Sequence, residues 1–169
     1  MAGEGLLFLG SNLEPRLHRL LEAERLLVRW GGVEVLCRSA VYETEPVVRL
    51  RQPWFLNRVL RVRGPADGPS LLALVQRVEA ALGRRRGTDK GPRTVDVDIL
   101  DWKGWALETS RLVLPHPAIP QRRCILVPLR EAAPDWRHPR LGAGAGELLG
   151  ACADRSGVRL FLPVLDEEG

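Results

Sequence analysis

Asp96 and Asp98 stand two residues apart in the run Thr94-Val95-Asp96-Val97-Asp98-Ile99-Leu100. The alternation predicts a strand that carries both carboxylates on one face, with Val95, Val97 and Ile99 on the other. Two carboxylates on one face repel, so the pair needs a counter-charge or a shared proton. Mg²⁺ suits it, because that ion takes carboxylate oxygens and keeps positions open for substrate phosphates. Just upstream, residues 83–93 collect Arg84, Arg85, Arg86, Lys90 and Arg93 on a stretch broken by Gly87, Gly91 and Pro92. Arginine grips phosphate oxygens in a bidentate fork. Carboxylates, a divalent ion and arginines together make a phosphoryl-transfer apparatus. Alone, such a carboxylate pair also reads as a solvated strand edge and such an arginine run as an exposed face. Their adjacency, on a Gly/Pro stretch running into an apolar strand, favours chemistry.

Three further places have side chains suited to a ligand. Asn57 lies among apolar neighbours, and its amide offers two donors and an acceptor to the edge of a polar heterocycle. Phe55, two residues away on the same face, could stack a flat ring; the plainer readings are an Asn satisfied by backbone and a core Phe. His116 sits between Pro115 and Pro117, outside any helix interior, where a near-neutral imidazole could donate to a phosphate or serve only as a turn residue. Gly10-Ser11-Asn12 follows an apolar run, and its polar residues read better as a helix cap than as a phosphate loop.

The elements that must position these groups follow from periodicity. Residues 5–9 read as a buried strand and residues 15–30 as an amphipathic helix closed by Gly31-Gly32. Residues 33–42 read as a strand, 44–53 as a loop interrupted by prolines, and 54–62 as a strand with Phe55, Asn57, Val59 and Arg61 on one face. Ser70 reads as the cap of a second helix, with Gln76 and Glu79 one turn apart on its polar side. The helix delivers the chain into the arginine stretch and then the carboxylate strand. Residues 111–114 are extended, and 120–133 are helical with Arg122 and Arg123 at the start. A Gly/Ala joint at 142–146 precedes a short helix (147–152) and a strand (158–164). The order strand, helix, strand, strand, helix, strand predicts an α+β fold, the ferredoxin-like βαββαβ antiparallel sheet, with helices packed on one face and C-terminal additions.

At 169 residues the chain fits a single domain with a real core. Net charge is +4, carried almost wholly by arginine, since lysine occurs only at Lys90 and Lys103. That balance suits anionic partners. A basic domain of this pattern also invites an RNA-binding reading, but aromatic residues make up only 5% of the chain. No run matches the aromatic RNA-recognition pattern either. Cys37, Cys124 and Cys152 are scattered, which points to reduced thiols and a cytoplasmic protein. No secretory leader is visible, and no apolar stretch nears the roughly 20 residues of a membrane span.

The sequence resembles the 6-hydroxymethyl-7,8-dihydropterin pyrophosphokinase family over about residues 5–135. The resemblance rests on Gly10-Ser11-Asn12-Leu13, Tyr42-Glu43-Thr44-Glu45-Pro46, Gln52-Pro53-Trp54-Phe55-Leu56-Asn57 and Leu114-Pro115-His116-Pro117. Gly91-Pro92-Arg93-Thr94-Val95-Asp96-Val97-Asp98-Ile99 and Pro128-Leu129-Arg130-Glu131-Ala132-Ala133-Pro134 complete it. It implies a Mg-dependent transfer of pyrophosphate from ATP to the pterin hydroxymethyl group, with release of AMP, in folate biosynthesis. By that resemblance Asp96 and Asp98 hold two Mg²⁺, and Arg84 and Arg93 act with them. Gln76, Glu79, Arg84, Arg86, Arg93, Ile99, Arg111, His116 and Arg122 serve ATP. Thr44, Glu45, Pro46, Val47, Phe55, Asn57, Asp96 and Cys124 serve the pterin. Partners are then small molecules rather than nucleic acid or membrane, and the chain is a monomer or weak homodimer. Cys124 stands where the family usually has an aromatic, Lys90 where it often has tryptophan, and the C-terminal extension from about residue 140 has no clear counterpart.

Overall fold

The computed structural model describes residues 2–47, 51–65, 67–83 and 94–164. Arg84, Arg85, Arg86, Lys90 and Arg93 lie outside the described residues. Strand β1 (Gly3–Ser11) is an interior strand of the main sheet. It carries large apolar side chains on both parities, so neither face can be left to water. Leu7 and Leu9 enter one core with Leu20 and Leu27 of helix α1 (Arg16–Gly31) and Leu71 and Val78 of helix α2 (Gly68–Ala81). Leu6 and Phe8 enter a second core with Ile125, Leu126 and Leu129 of helix α3 (Arg123–Ala132) and Leu148 of helix α4 (Ala145–Ala151). Helices therefore cover both faces of the sheet, not the single face expected from sequence.

Strands β2 (Glu34–Arg38), β3 (Val41–Thr44), β4 (Phe55–Gly64), β5 (Asp96–Trp102) and β8 (Val158–Leu162) complete the main sheet. Among the described residues its order is β5-β1-β4-β3-β8, with β2 also on β4 and every pairing antiparallel. A small ribbon, β6 (Leu107–Glu108) and β7 (Val113–Leu114), lies apart from it. The strand expected over 33–42 is broken at Ser39-Ala40. Ser39 Oγ accepts from Val59 N at 2.9 Å, Ser39 O accepts Arg58 Nε at 3.0 Å, and Ala40 N donates to Glu131. Side chains thus take over hydrogen bonds that a continuous ladder would supply.

Two helix starts differ from expectation. Neither Ser11 nor Asn12 caps α1, which begins after Pro15 without a side-chain cap. Ser11 Oγ instead donates to Thr94 O, and Asn12 Nδ2 donates to Gln52 Oε1 and Pro53 O. Helix α2 is capped by Asp67, whose carboxylate accepts from Ser70 N at 2.7 Å, so Ser70 is the capped residue and not the cap.

β5 is an edge strand, and its two sides are separated by alternation. Val97 and Ile99 go to the α1/α2 core, while Asp96 and Asp98 face the α3 side. The pairing shifts between Leu6 and Leu7, opposite Asp101 and Ile99, and Leu100 is the extra residue. This bulge lets Leu100 enter the α3 core and still turns Trp102 into the α1/α2 core. Buried Glu79 of α2 accepts from Val97 N at 2.9 Å, fixing the backbone between the two aspartates. Glu79→Ala leaves that N–H unpaired and should lower unfolding stability by about 1–3 kcal/mol in urea titrations, with Glu79→Gln losing less because it keeps an acceptor.

Candidate active site

Strand register assembles the site. Asp96 is the cross-strand partner of Gly10, Gly10 of Asn57, and Asn57 of Tyr42. Directly opposed residues project to the same face, so a carboxylate, a glycine and an amide form one row across three strands. The next row runs Asp98, Phe8, Val59. Gly10 is where a side chain is excluded: a Cβ there would lie 2.6 Å from Asn57 Nδ2 and 3.8 Å from Phe55 Cδ1. The sequence signal for this was a glycine ending an apolar strand, which marks close approach of another group.

Asn57 is 3% exposed, and its Oδ1 accepts from Thr44 Oγ1 while its Nδ2 donates to Leu9 O at 3.3 Å. One donor and one lone pair of the amide remain beyond these two bonds. Phe55, half-buried, lies beside it on the same face. Thr44, Phe55, Asn57 and Asp96 are thereby brought to one side of the sheet. Pro46 and the exposed Val47 follow Thr44 at the strand end. Glu45 points elsewhere: its carboxylate accepts from Gly157 N at 2.8 Å.

Asp98 lines a cleft of about 270 Å³ at the free edge of β5, together with Ile99, Arg111, Val113, His116 and Leu72. Three residues assigned to ATP by resemblance thus meet one assigned to metal. Gln76 is exposed on α2, and Glu79 is buried beneath β5 rather than lining that cleft. His116 N donates to Leu100 O at 2.8 Å, which ties its turn to β5. Its Nδ1 accepts from Ala118 N at 3.1 Å, so the neutral ring carries its proton on Nε2. Burial pushes this imidazole below its ordinary value of 6.5; Asp98 opposes the fall and Arg122 adds to it. At neutral pH it is therefore a neutral N–H donor.

Arg122 is exposed at the N-terminal end of α3. Cys124, two residues on, is buried in the core that contains Phe8. Burial raises its thiol from 9.0 to about 12, against the pull of Arg122. An unfolded thiol ionises near its usual value, so between about pH 9 and 12 the unfolded chain holds fewer protons and stability falls as pH rises. Native alkylation with iodoacetamide at pH 8 should accordingly modify exposed Cys37 and spare Cys124, read by mass spectrometry.

The donor set suits Mg²⁺. Asp96 and Asp98 supply hard oxygens on one face, and among the described residues no group of three His, Cys, Asp or Glu side chains gathers into a metal cage. One or two carboxylates, with the remaining positions left to water and phosphate, is the usual Mg²⁺ arrangement. Among the described residues no helix is long and apolar enough to cross a membrane.

Residues 6–134 match the family model described as 7,8-dihydro-6-hydroxymethylpterin-pyrophosphokinase (HPPK). The 2-amino-4-hydroxy-6-hydroxymethyldihydropteridine pyrophosphokinase of Methylorubrum extorquens is 40% identical over 127 residues, covering 75% of this chain and 80% of that protein. The Bacillus subtilis protein of the same name is 36% identical over 153 residues, covering 90% of this chain and 87% of its own length. A crystal structure of wild-type Plasmodium falciparum HPPK-DHPS with pteroate superposes with a TM-score of 0.72 at 15% identity, over 89% of this chain and 42% of the larger one. At that identity the last likeness is one of fold. The agreement of a model spanning most of the sequence with relatives matched along most of their own length places this chain in the 7,8-dihydro-6-hydroxymethylpterin-pyrophosphokinase family.

Proposed function

We propose that the chain transfers the pyrophosphoryl group of ATP to the hydroxymethyl oxygen of 6-hydroxymethyl-7,8-dihydropterin. The new bond is between that oxygen and the β-phosphorus; the bond broken joins the β-phosphorus to the oxygen that leaves with AMP, and the hydroxyl proton is released. The observation that carries the reading is the register row in which Asp96 and Asn57 flank Gly10 on one face. The remaining donor and lone pair of Asn57 suit the polar edge of the pterin, with Phe55 against its ring. The Nε2–H of His116, with Arg111 and Arg122, suits the phosphates of ATP. Arg84, Arg86 and Arg93 join them on the strength of the sequence pattern alone.

Asp96 and Asp98 would hold two Mg²⁺, which would supply charge neutralisation at the ATP phosphates. Positioning is what the protein adds, and no side chain is required as general base. The family relationship supports ATP as co-substrate. Taking β2 and β3 as one interrupted strand, the order β5-β1-β4-β3 supports the ferredoxin-like description of the sheet. Three free thiols support a cytoplasmic setting, and the chain is read as a monomer or weak homodimer. The test is product analysis: ATP, Mg²⁺ and the dihydropterin should give AMP and the pterin diphosphate in equal amounts. ADP as the nucleotide product, or AMP formed without the pterin, contradicts the proposal.

A further inference from the structure

The segment from Asp154 to Arg159 lies beyond the stretch matched by the family model, yet it touches both the strand end that carries Thr44 and the start of α3, where Cys124 stands. On one side it holds the strand end and loop stem that carry Thr44 and Phe55. Glu45 N donates to Gly157 O at 2.9 Å, and the Glu45 carboxylate accepts from Gly157 N at 2.8 Å. Glu43 accepts from Arg159 and, at 2.8 Å, from Arg16; Arg16 also donates to Trp54 O at 2.8 Å. The Arg159 guanidinium lies 4.8 Å from the centre of the Trp54 ring. On another side that ring rests on bare backbone, since a Cβ on Gly157 would come within 2.7 Å of it. Trp54 immediately precedes Phe55, and Glu43 and Glu45 flank Thr44.

On the other side the segment caps α3. Asp154 Oδ2 accepts from Arg123 N at 2.9 Å, the first residue of that helix, between Arg122 and Cys124. A carboxylate there satisfies a helix-end donor and complements the helix dipole. Its other oxygen accepts from Ser156 N at 2.9 Å, which fixes the turn between the two contacts. A piece of chain six residues long thus joins the start of α3 to Glu43, Glu45 and Trp54, beside Thr44 and Phe55.

We propose that this segment is a brace that fixes the width of the pterin pocket, with Arg159 and Asp154 as positioning residues that do not touch substrate. The inference rests on the assignment of that pocket to the pterin. It predicts a selective defect. The cleft at the β5 edge is lined from β5, α2 and residues 111–117, and no residue of the brace lines it.

The experiment is calorimetric titration of the full chain with the dihydropterin in the presence of Mg²⁺ and a non-hydrolysable ATP analogue, and separately with the analogue alone. The Arg159 side chain is 69% exposed, so its truncation leaves the cores intact. Arg159→Ala should weaken pterin affinity about tenfold, in line with the cost of small misplacements. Analogue affinity should stay within about twofold, because the β5-edge cleft keeps its geometry. Asp154→Ala should also weaken pterin affinity, but its cap lies beside Arg122, so the unchanged analogue affinity is expected of Arg159→Ala alone. Arg159→Lys should recover part of the loss by keeping the charge opposite Glu43. Arg63→Ala, at the far end of β4 against Glu4 and Glu34, should change neither affinity. Unchanged pterin affinity in both Arg159→Ala and Asp154→Ala overturns the brace, and so does an equal fall in both affinities in Arg159→Ala, which marks general damage. A wild-type chain that binds the analogue but no dihydropterin overturns the pterin assignment and the brace with it.

Discussion

Asp98→Asn should lower the rate of AMP formation by roughly a thousandfold, the scale of losing a preorganised group that stabilises transferring phosphate charge. The substitution keeps size and hydrogen-bonding capacity but removes the charge that opposes a divalent ion. Asp98 is only part-buried, at the mouth of a cleft and on the edge strand, so the cores are untouched. The melting temperature should therefore stay within about 2 °C of the parent, a shift worth no more than about 1 kcal/mol in a domain of this size. Loss of rate together with retention of fold separates a chemical role from a structural one. Turnover near that of the parent removes Asp98 from the metal assignment.

Gly10→Ala should have the next largest effect, through one added methyl. Its Cβ arrives 2.6 Å from Asn57 Nδ2. The amide cannot step aside cheaply, because it is buried and bonded to Thr44 on one side and Leu9 O on the other. Overpacking of this kind costs about 1–3 kcal/mol of stability, measurable by denaturant titration. Dihydropterin affinity should fall by about a hundredfold, since the amide and the neighbouring Phe55 both shift from their places. Affinity for an ATP analogue should fall less than that for the pterin, as Gly10 lies opposite Asp96 but two residues along β1 from the partner of Asp98. A variant that binds the pterin normally places the pocket elsewhere.

Much of the site was legible before any coordinates, and for a physical reason. Strand alternation is local, so Asp96 and Asp98 on one face, and Phe55 with Asn57 on one face, follow from spacing alone. What joins the two pairs is register, which is not local. Nothing in the run of residues 5–11 says that Gly10 will lie between Asp96 and Asn57; the hydrophobic pattern and the two cores decide it. The same limit explains the misassigned caps. Ser11 and Asn12 have capping chemistry, but tertiary partners at Thr94, Gln52 and Pro53 take their hydrogen bonds. The two-sided helix cover was visible in principle, because Leu6 and Phe8 are as apolar as Leu7 and Leu9. The break at Ser39-Ala40 was not, since it depends on Arg58 and Glu131 arriving from β4 and α3.

The central claim is that the two carboxylates of β5 meet the phosphates of ATP through divalent ions. Crystals grown with Mn²⁺ in place of Mg²⁺ and a non-hydrolysable ATP analogue test it by anomalous scattering. The account expects anomalous peaks within about 2.3 Å of carboxylate oxygens of both Asp96 and Asp98, each also in contact with a phosphate oxygen. A bound nucleotide whose phosphates lie away from both residues, with no anomalous peak between, contradicts it.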